Sequence, residues 1–363
     1  MKLLHFADLH LDAPFAWASP EAARLRRRNR RLSLTRILEL ASQERCDAIL
    51  AAGDLFELDR VRPDTLEFLR SALSDVALPV YIAPGNHDWL SPRSPYRTVR
   101  WPANVHVFEE DRLSPVTLEG GLTLWGAAHR APANTPDFFA GFRPDRGGIH
   151  IAVAHASERT ALPWQESGKQ PHAPFEAAEL EEAGLSHAFL GHYHVPRDAE
   201  RHTYPGNPDP LEFGETGDRG AVLATLRPDG SVDRERRSVA VSEVHDLTVT
   251  LHGAGHAEEV AGAVAQALSG RAGFVRLTLD GEVTASLEID LAGLRRIGEH
   301  LDGLVIRIGD LSTGYDVLEI QREASVRGHF ARSTAGIEDP DLRRRVLLTG
   351  LRALEGRRDL EVA

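Results

Sequence analysis

The pattern of hydrophobic and polar positions indicates an α/β fold in the first two-thirds of the chain. Short apolar runs lead into the sequences ADLH, AAGDLF and APGNHD, and further runs cover 122–128, 149–157 and 187–194. These runs predict buried strands. Between the first three, apolar spacing over Ser33–Glu44 and an early proline in the segment 63–73 predict two helices. Strands that alternate with helices are typical of a sheet covered by helices.

The pattern changes from about Ser238, where a smaller set of elements begins. Strands are predicted at 246–251, 274–279 and 304–308, with a helix in each gap. A last helix is predicted to begin at Asp339–Pro340. We therefore expect a first domain over 1–240, a two-layer α/β domain over 241–320, and a helical tail over 321–363. The stripe of leucines at positions 347, 351 and 354 fits either packing on its own domain or docking to a partner.

Composition is typical of an intracellular globular protein. A hydrophobic fraction of 42% in 363 residues supports real cores. The single cysteine, Cys46, lies in an apolar run and allows no disulfide within the chain, which is typical of a reducing compartment. The opening MKLLHFADLHL lacks the layout of a signal peptide, and no apolar stretch is long enough to span a bilayer. We expect a cytoplasmic protein with no membrane partner.

Charge gives a mixed indication about nucleic acids. The formal net charge of −12 argues against binding nucleic acid through bulk electrostatics. The run RLRRRNRR, residues 24–31, is densely basic all the same. Two interpretations stay open: a solvated helix face, or an edge whose guanidinium groups contact phosphates.

Candidate metal ligands follow the predicted strands of the first domain. Every one comes after its apolar run, and sites in α/β sheets gather outside the carboxyl ends of the strands. In an extended chain, residues i and i+2 also point the same way, so D-x-H and H-x-H pairs would face one site. The candidates are Asp8, His10, Asp54, Asn86, His155, His192 and His194.

The types of these side chains indicate a catalytic pair of metal ions. Oxygen and imidazole donors without a thiolate suit manganese, iron or zinc at catalytic positions. The donors exceed what one ion needs, which favours two divalent ions that share a carboxylate and act on a phosphate ester. Because Asn86 is neutral, two divalent ions would keep a net positive charge that attracts a phosphodiester. Manganese is the expected metal, with iron and zinc as alternatives.

The motifs together resemble the calcineurin-like metallophosphoesterase superfamily. The resemblance rests on Asp8-x-His10, GDLF, GNHD, His155 and GHYH. Within the superfamily, FADLHLDAPF, LGHYHVP and YPGNPDPLEFGETGDRG are similar to bacterial DNA-repair exonucleases of the SbcD/YhaO type, over about residues 1–240. The resemblance implies a four-layer α/β/β/α fold, in which helices flank a β-sandwich. It also implies that the smaller domain is a cap that guides DNA.

The resemblance further implies a role for each residue of the site. One ion would be held by Asp8, His10, Asp54 and His194, and the other by Asp54, Asn86, His155 and His192. Asp54 would bridge the ions. His87 would be a catalytic residue that binds no metal and that stabilises the transition state or protonates the leaving oxygen. Asp88 either orients His87 or caps the turn.

The leading hypothesis is a two-metal DNA nuclease, with 3′-to-5′ exonuclease activity on duplex DNA and endonuclease activity on single strands. One alternative is another phosphoesterase: a nucleotide phosphatase, a cyclic-nucleotide phosphodiesterase or a protein phosphatase. Another is a DNA-end scaffold. The resemblance implies a partner, a coiled-coil ATPase of the SbcC/YhaN type, since the chain has no P-loop of its own. A homodimer through the helix LEFLRSAL is also expected.

Overall fold

The computed structural model describes residues 1–160, 171–215, 217, 219–284 and 287–356, in two compact units, Met1–Val244 and His245–Ala363. Residues 357–363 of the predicted helical tail, and positions 216 and 218 of the segment YPGNPDPLEFGETGDRG, lie outside the described residues. The strands of the first unit are β1 Lys2–Phe6, β2 Ala48–Ala51, β3 Val80–Ile82, β4 Val105–Val107, β5 Ser114–Thr117, β6 Leu122–Gly126, β7 Ile149–His155, β8 His187–Gly191, β9 Arg197–Asp198, β10 His202–Tyr204, β11 Gly220–Leu226 and β12 Val232–Ser238.

These strands form two six-stranded sheets that pack as a sandwich. The first sheet has the order β12-β11-β1-β2-β3-β4 and the second β5-β6-β7-β8-β10-β9. Strands β1 to β4 pair in parallel, and so do β6, β7 and β8. Side chains from both sheets, among them Leu50, Leu124 and Phe189, share one core cluster. Their apolar runs are nearly continuous because both faces of each sheet are covered.

Helices cover the outer faces of the sandwich. They are α1 Pro20–Gln43, α2 Pro63–Asp75, α3 Pro95–Thr98 and α4 Ala177–Glu182. Leu34 and Ile37 of α1, with Leu69 of α2, belong to the core on the first sheet. Leu180 of α4 belongs to the core on the second sheet. The four-layer α/β/β/α fold implied by the resemblance is therefore confirmed.

Helix α1 begins much earlier than the prediction of Ser33–Glu44. It starts at Pro20, where the side chain of Ser19 accepts a hydrogen bond from the Ala22 amide. The arginine run makes up part of its first half, and Arg26 and Arg30 are fully buried. A buried face made of arginines has no hydrophobic period, so the pattern does not reveal it. For these two residues both interpretations of the run, a solvated face and a phosphate-contacting edge, are wrong.

The second unit contains a three-stranded sheet with helices on one face. Its strands are β13 Val244–Ala254, β14 Phe274–Thr284 and β15 Gly303–Gly314, and its first helices are α5 Ala257–Leu268 and α6 Leu291–Ile297. Val264 of α5 and Leu277 of β14 share its core. Arg276 of β14 pairs with Asp246, with its Nε 2.8 Å from Oδ1. Its guanidinium is therefore already engaged within the unit.

Three further helices end the described chain: α7 Val317–Arg322, α8 Val326–Thr334 and α9 Pro340–Leu354. Leu347 and Leu351 of α9 are buried in a cluster with Ile320 and Ala331. Leu347 and Leu351 therefore pack within their own unit, which is one of the two interpretations of the leucine stripe. Leu354, the third leucine of the stripe, is 47% exposed. Among the helices described, none combines the length and apolar character needed to cross a membrane.

Candidate metal centre

Every predicted ligand lies at the carboxyl end of a strand, at one end of the sandwich. The first sheet supplies four of them: Asp8 and His10 follow β1, Asp54 follows β2 and Asn86 follows β3. The second sheet supplies the rest. His155 is the last residue of β7, and His192 and His194 follow β8. Strands from both sheets thus end at the same place, as expected for α/β proteins.

The side chains of Asp8, His10 and His194 form a compact group. Their ligand atoms all lie within 4.8 Å of one another, and the two imidazole rings are 5.1 Å apart. Asp54 lies beside this group, with its Oδ2 3.7 Å from Nε2 of His10. Two carboxylates and two imidazoles are therefore close enough to share one divalent ion.

The same carboxylate of Asp54 also reaches a second group. Its Oδ2 is 3.2 Å from Nε2 of His155, and that nitrogen is 3.0 Å from Oδ1 of Asn86. The ring of His192 lies 5.2 Å from the ring of His155. His192 is also tied to the first group, because its backbone N–H donates to Oδ1 of Asp8 at 3.0 Å. Asp54 stands between the two groups, as a bridging ligand must.

The residues present fit a pair of divalent ions. Within the described part of the chain, Nε2 of His10 is buried and has no hydrogen-bond partner. Burial lowers the pKa of His10, more than the carboxylates of Glu57 and Asp54 raise it. A neutral imidazole with a free, inward-facing nitrogen is what a metal ligand requires. The remaining donors are carboxylate and amide oxygens and imidazole nitrogens, which suits manganese, iron or zinc.

The backbone at this site takes conformations that most side chains avoid. The φ angles of Asp8, His10, Asp54 and His192 are 55°, 45°, 54° and 106°. Such left-handed residues cluster at functional sites. The prediction that an extended chain presents both side chains of a pair is therefore wrong for H-x-H, in which His192 has a positive φ, and for D-x-H, in which Asp8 and His10 both do. Instead, backbone hydrogen bonds from their amides to Gly53 and Asp54 fix the loop.

His87 lies at the edge of the site, and Glu57 holds it. Its side chain is 45% exposed, and its Nδ1 is 2.9 Å from Oε2 of Glu57. The other carboxylate oxygen of Glu57 is 2.8 Å from Nδ1 of His10. Burial alone would lower the pKa of His87, but the hydrogen bond to Glu57 and the charge of Asp54 raise it to about 9. Glu57 thus connects a candidate ligand to the candidate catalytic histidine.

Asp88 caps the turn instead of orienting His87. Its carboxylate accepts hydrogen bonds from the amides of Gly85, Asp54 and Leu55, at 2.7, 3.1 and 2.8 Å. The hydroxyl of Tyr96 donates to it at 2.6 Å. Burial and the nearby charge of Asp54 raise the pKa of Asp88 to about 6. Asp88 therefore fixes the backbone that carries Asp54 and the GNHD turn.

A second glutamate, Glu215, supports His194. Its Oε1 is 2.8 Å from Nδ1 of His194, and its Oε2 accepts from Nδ2 of Asn207 at 2.6 Å. Arg219 donates to the carbonyl of His194 at 2.7 Å. Neither Glu215 nor Glu57 was predicted from the sequence. Glu215 lies in a segment with several carboxylates, and no spacing rule distinguishes it from the others.

The two buried arginines of α1 hold the loops of the site together. Arg30 donates to the carbonyls of Leu9 and Asp209, at 2.6 and 2.9 Å, and Arg26 donates to the carbonyl of Pro210. Burial lowers the pKa of Arg30 to about 10, against the opposing charge of Asp209, so the guanidinium keeps its charge at neutral pH. The loop that carries Asp8 and His10 is therefore fastened to the segment that leads to Glu215.

Comparisons with known proteins agree with this geometry. The family model described as calcineurin-like phosphoesterase matches residues 1–196. The uncharacterized metallophosphoesterase YhaO of Bacillus subtilis is 31% identical over 243 residues, which cover 61% of this chain and 57% of that protein. The DNA double-strand break repair protein Mre11 of Aeropyrum pernix is 27% identical over 247 residues, covering 61% of this chain and 57% of that protein.

A second Mre11, from Methanopyrus kandleri, is 26% identical over 246 residues, covering 61% of this chain and 52% of that protein. The chain thus spans little more than half the length of these curated relatives. The similarity to each of them extends over about 61% of this chain.

Proposed function

This chain belongs to the calcineurin-like phosphoesterase family, and on that premise we propose that it is a two-metal nuclease that hydrolyses phosphodiester bonds of DNA. The observation that carries the proposal is the position of Asp54 between the two groups of ligands. Its Oδ2 lies 3.7 Å from Nε2 of His10 and 3.2 Å from Nε2 of His155. Membership of the family makes the chain a metal-dependent phosphoesterase. The proposal adds DNA as substrate, in repair or end processing, and manganese as the metal.

In this proposal the ligands divide into two sets that share Asp54. Asp8, His10 and His194 would complete the first set, and Asn86, His155 and His192 the second. Bound divalent ions would neutralise charge on the phosphate and lower the pKa of water enough to generate a nucleophile at neutral pH. The protein's part is to keep these ligands close together and buried.

His87 would act on the leaving oxygen. Its ring is the most exposed imidazole of the candidate groups, at 45%, so a substrate phosphate can reach it. Glu57 accepts a hydrogen bond from its Nδ1 and so leaves Nε2 as the atom that faces a substrate. An imidazole held in this way can donate a proton to a departing alkoxide. Asp88 fixes the turn from which the ring projects.

DNA is the favoured substrate because two of the relatives, 27% and 26% identical to this chain, carry the name of a DNA double-strand break repair protein. We further propose 3′-to-5′ exonuclease activity on duplex ends and endonuclease activity on single strands. The second unit would serve as the DNA-guiding cap, with the exposed Arg307 as a candidate phosphate contact. A coiled-coil ATPase of the SbcC/YhaN type and a second copy of the chain are the proposed partners.

The test is manganese-dependent degradation of end-labelled linear duplex DNA by the wild type and by His87→Ala. Loss of the proton donor should lower the rate by about 10²–10⁴-fold. Because His87 is outside both ligand sets, binding of Mn²⁺ should stay unchanged. His106→Ala, which removes an exposed histidine of β4, is the matched control and should retain wild-type activity.

Each other outcome points to a different function. Hydrolysis of bis(p-nitrophenyl) phosphate without any cleavage of DNA would contradict the DNA assignment and favour a small-substrate phosphodiesterase. Cleavage that appears only after a coiled-coil ATPase of the SbcC/YhaN type is added would place that ATPase in the active complex. A His87→Ala protein as active as the wild type would remove His87 from the chemistry.

A further inference from the structure

We propose that a nucleobase of the substrate stacks on the indole of Trp89, and that the guanidinium of Arg93 binds an adjoining phosphate. This inference rests on the proposed function, because it places a nucleotide beside the metal centre. It adds a base-binding subsite that lies outside both ligand sets.

The turn that carries His87 also leaves Trp89 open to solvent. Exposure alternates along this turn: His87 is 45% exposed, Asp88 is buried, Trp89 is partly exposed and Leu90 is buried. The Cα atoms of His87 and Trp89 are at most about 7 Å apart, since two residues span no more than that. A nucleotide whose phosphate contacts His87 can therefore bring its base to Trp89.

Hydrogen bonds hold the backbone on both sides of Trp89. The amide of Leu58 donates to the carbonyl of His87 at 3.0 Å, and the amide of Leu90 donates to the carbonyl of His129 at 2.7 Å. A tryptophan offers a large contact area with few rotatable bonds. On a fixed backbone, its indole therefore loses little conformational freedom when a base stacks on it.

Trp89 lacks the internal contacts that other tryptophans of the first unit make. Nε1 of Trp101 donates to the carbonyl of Pro95 at 3.2 Å, and its ring packs against the core on the first sheet. Trp125 is buried, and its Nε1 donates to His150 at 3.2 Å. Among the described residues, the indole of Trp89 has no hydrogen-bond partner and stacks on no aromatic ring. A partly exposed ring of this kind, beside a phosphate-binding site, is suited to base stacking.

Arg93 adds a positive charge to the segment that follows Trp89. It is the only charged residue between Asp88 and Arg97, and it is exposed and forms no ion pair within the described part of the chain. The amide of Ser91 donates to the carbonyl of Trp89 at 3.0 Å, and the amide of Arg93 donates to Oγ of Ser91 at 3.3 Å. A guanidinium pairs well with phosphate oxygens. Aromatic rings and cations are combined in this way in single-strand nucleic-acid sites.

The experiment compares Mn²⁺-dependent cleavage of two single-stranded oligonucleotides that differ only in their bases. One has thymine at every position, and the other has a stable abasic sugar at every position, so both carry the same phosphate charge. The quantity measured is the ratio of kcat/KM for the thymine chain to kcat/KM for the abasic chain. The wild type should cleave the thymine chain faster. Trp89→Ala should lower the ratio by about 5–100-fold, the effect of one stacked base, and Trp89→Phe should keep most of it because the ring remains.

Two arginine variants separate the phosphate contact from the base contact. Arg93→Gln should raise KM for both chains, and by less at high salt, because each chain carries the phosphates. Arg45→Gln is the matched control. It removes an exposed arginine that precedes β2, at the end of the sandwich opposite the metal centre, and should leave both KM values unchanged.

A second measurement tests the contact without the alanine variant. Binding of the thymine chain to the metal-free protein should quench tryptophan fluorescence in the wild type, and binding of the abasic chain should quench it less. Trp89→Phe should lose the difference between the two chains. Far-ultraviolet circular dichroism verifies that each variant is folded.

A ratio in Trp89→Ala equal to that of the wild type would overturn the inference, even if both rates fall, because damage to the metal centre lowers both rates alike. The nuclease proposal would then stand. A wild type that cleaves neither chain and no duplex DNA would overturn the proposed function. In that case quenching that depends on Trp89 would still support the base-binding subsite, and its absence would overturn this inference as well.

Discussion

At the scale of single residues, the site leaves no space for a side chain at position 85. A Cβ on Gly85 would lie 2.2 Å from Oδ1 of Asp54 and 2.8 Å from Nδ1 of His155. Neither atom can move freely. Oδ1 of Asp54 accepts a hydrogen bond from the backbone amide of His87 at 2.8 Å, and Nδ1 of His155 is hydrogen-bonded to the carbonyl oxygen of Ala52. The glycine of GNHD is therefore a requirement of close packing around the bridging carboxylate.

We predict that Gly85→Ala loses both Mn²⁺-binding events, since a displaced Asp54 would no longer reach either set. The overpacking should also cost about 1–3 kcal/mol of unfolding free energy, measured by urea denaturation. Gly262→Ala in α5 is the control: its Cβ would meet no atom within 4 Å, and removing a glycine from a helix should stabilise by about 0.5–1 kcal/mol. Binding of two ions by Gly85→Ala would contradict the prediction.

At the scale of elements, α1 is both a cover for the first sheet and a clamp for two loops. Replacing Arg30 by Met leaves the carbonyls of Leu9 and Asp209 without its hydrogen bonds. We predict a loss of about 2–4 kcal/mol of unfolding free energy and weaker Mn²⁺ binding, because Leu9 lies between Asp8 and His10. Arg28→Met, at an exposed position of the same helix, should change stability by less than about 0.5 kcal/mol. Equal effects of the two substitutions would contradict the role of Arg30 in holding the two loops together.

The elements also show how far sequence reasoning reaches. Strands that end in ligand motifs were predictable because buried apolar runs and polar junctions are both local signals, and the family resemblance drawn from them is confirmed. The first half of α1 was not predictable, because its buried face contains arginines whose partners lie far along the chain. Glu57 and Glu215 were missed for the same reason: only the folded structure brings them to Nδ1 of His10 and His194.

At the scale of the whole molecule, three buried histidines make the first unit sensitive to acid. Nε2 of His5 is 3.1 Å from the carbonyl of Leu190, and Nε2 of His187 is 2.9 Å from the hydroxyl of Thr203. Burial lowers the pKa of His5, His187 and His202 to about 4, 3 and 4, from an ordinary value of 6.5. At pH 5 these rings are therefore neutral in the folded protein and protonated in the unfolded chain.

Because the unfolded state binds more protons, stability should fall as the pH drops below about 6.5 and continue to fall to about pH 4. Each histidine should contribute about 2 kcal/mol of this loss between pH 7 and pH 5. In His187→Gln the amide can keep the contact with Thr203 but does not titrate, so the difference in unfolding free energy between the two pH values should shrink by that amount. His300→Gln, at an exposed position, should leave the difference unchanged. Urea denaturation at both pH values measures the effect, and an unaltered difference in His187→Gln would show that this ring does not couple folding to protonation.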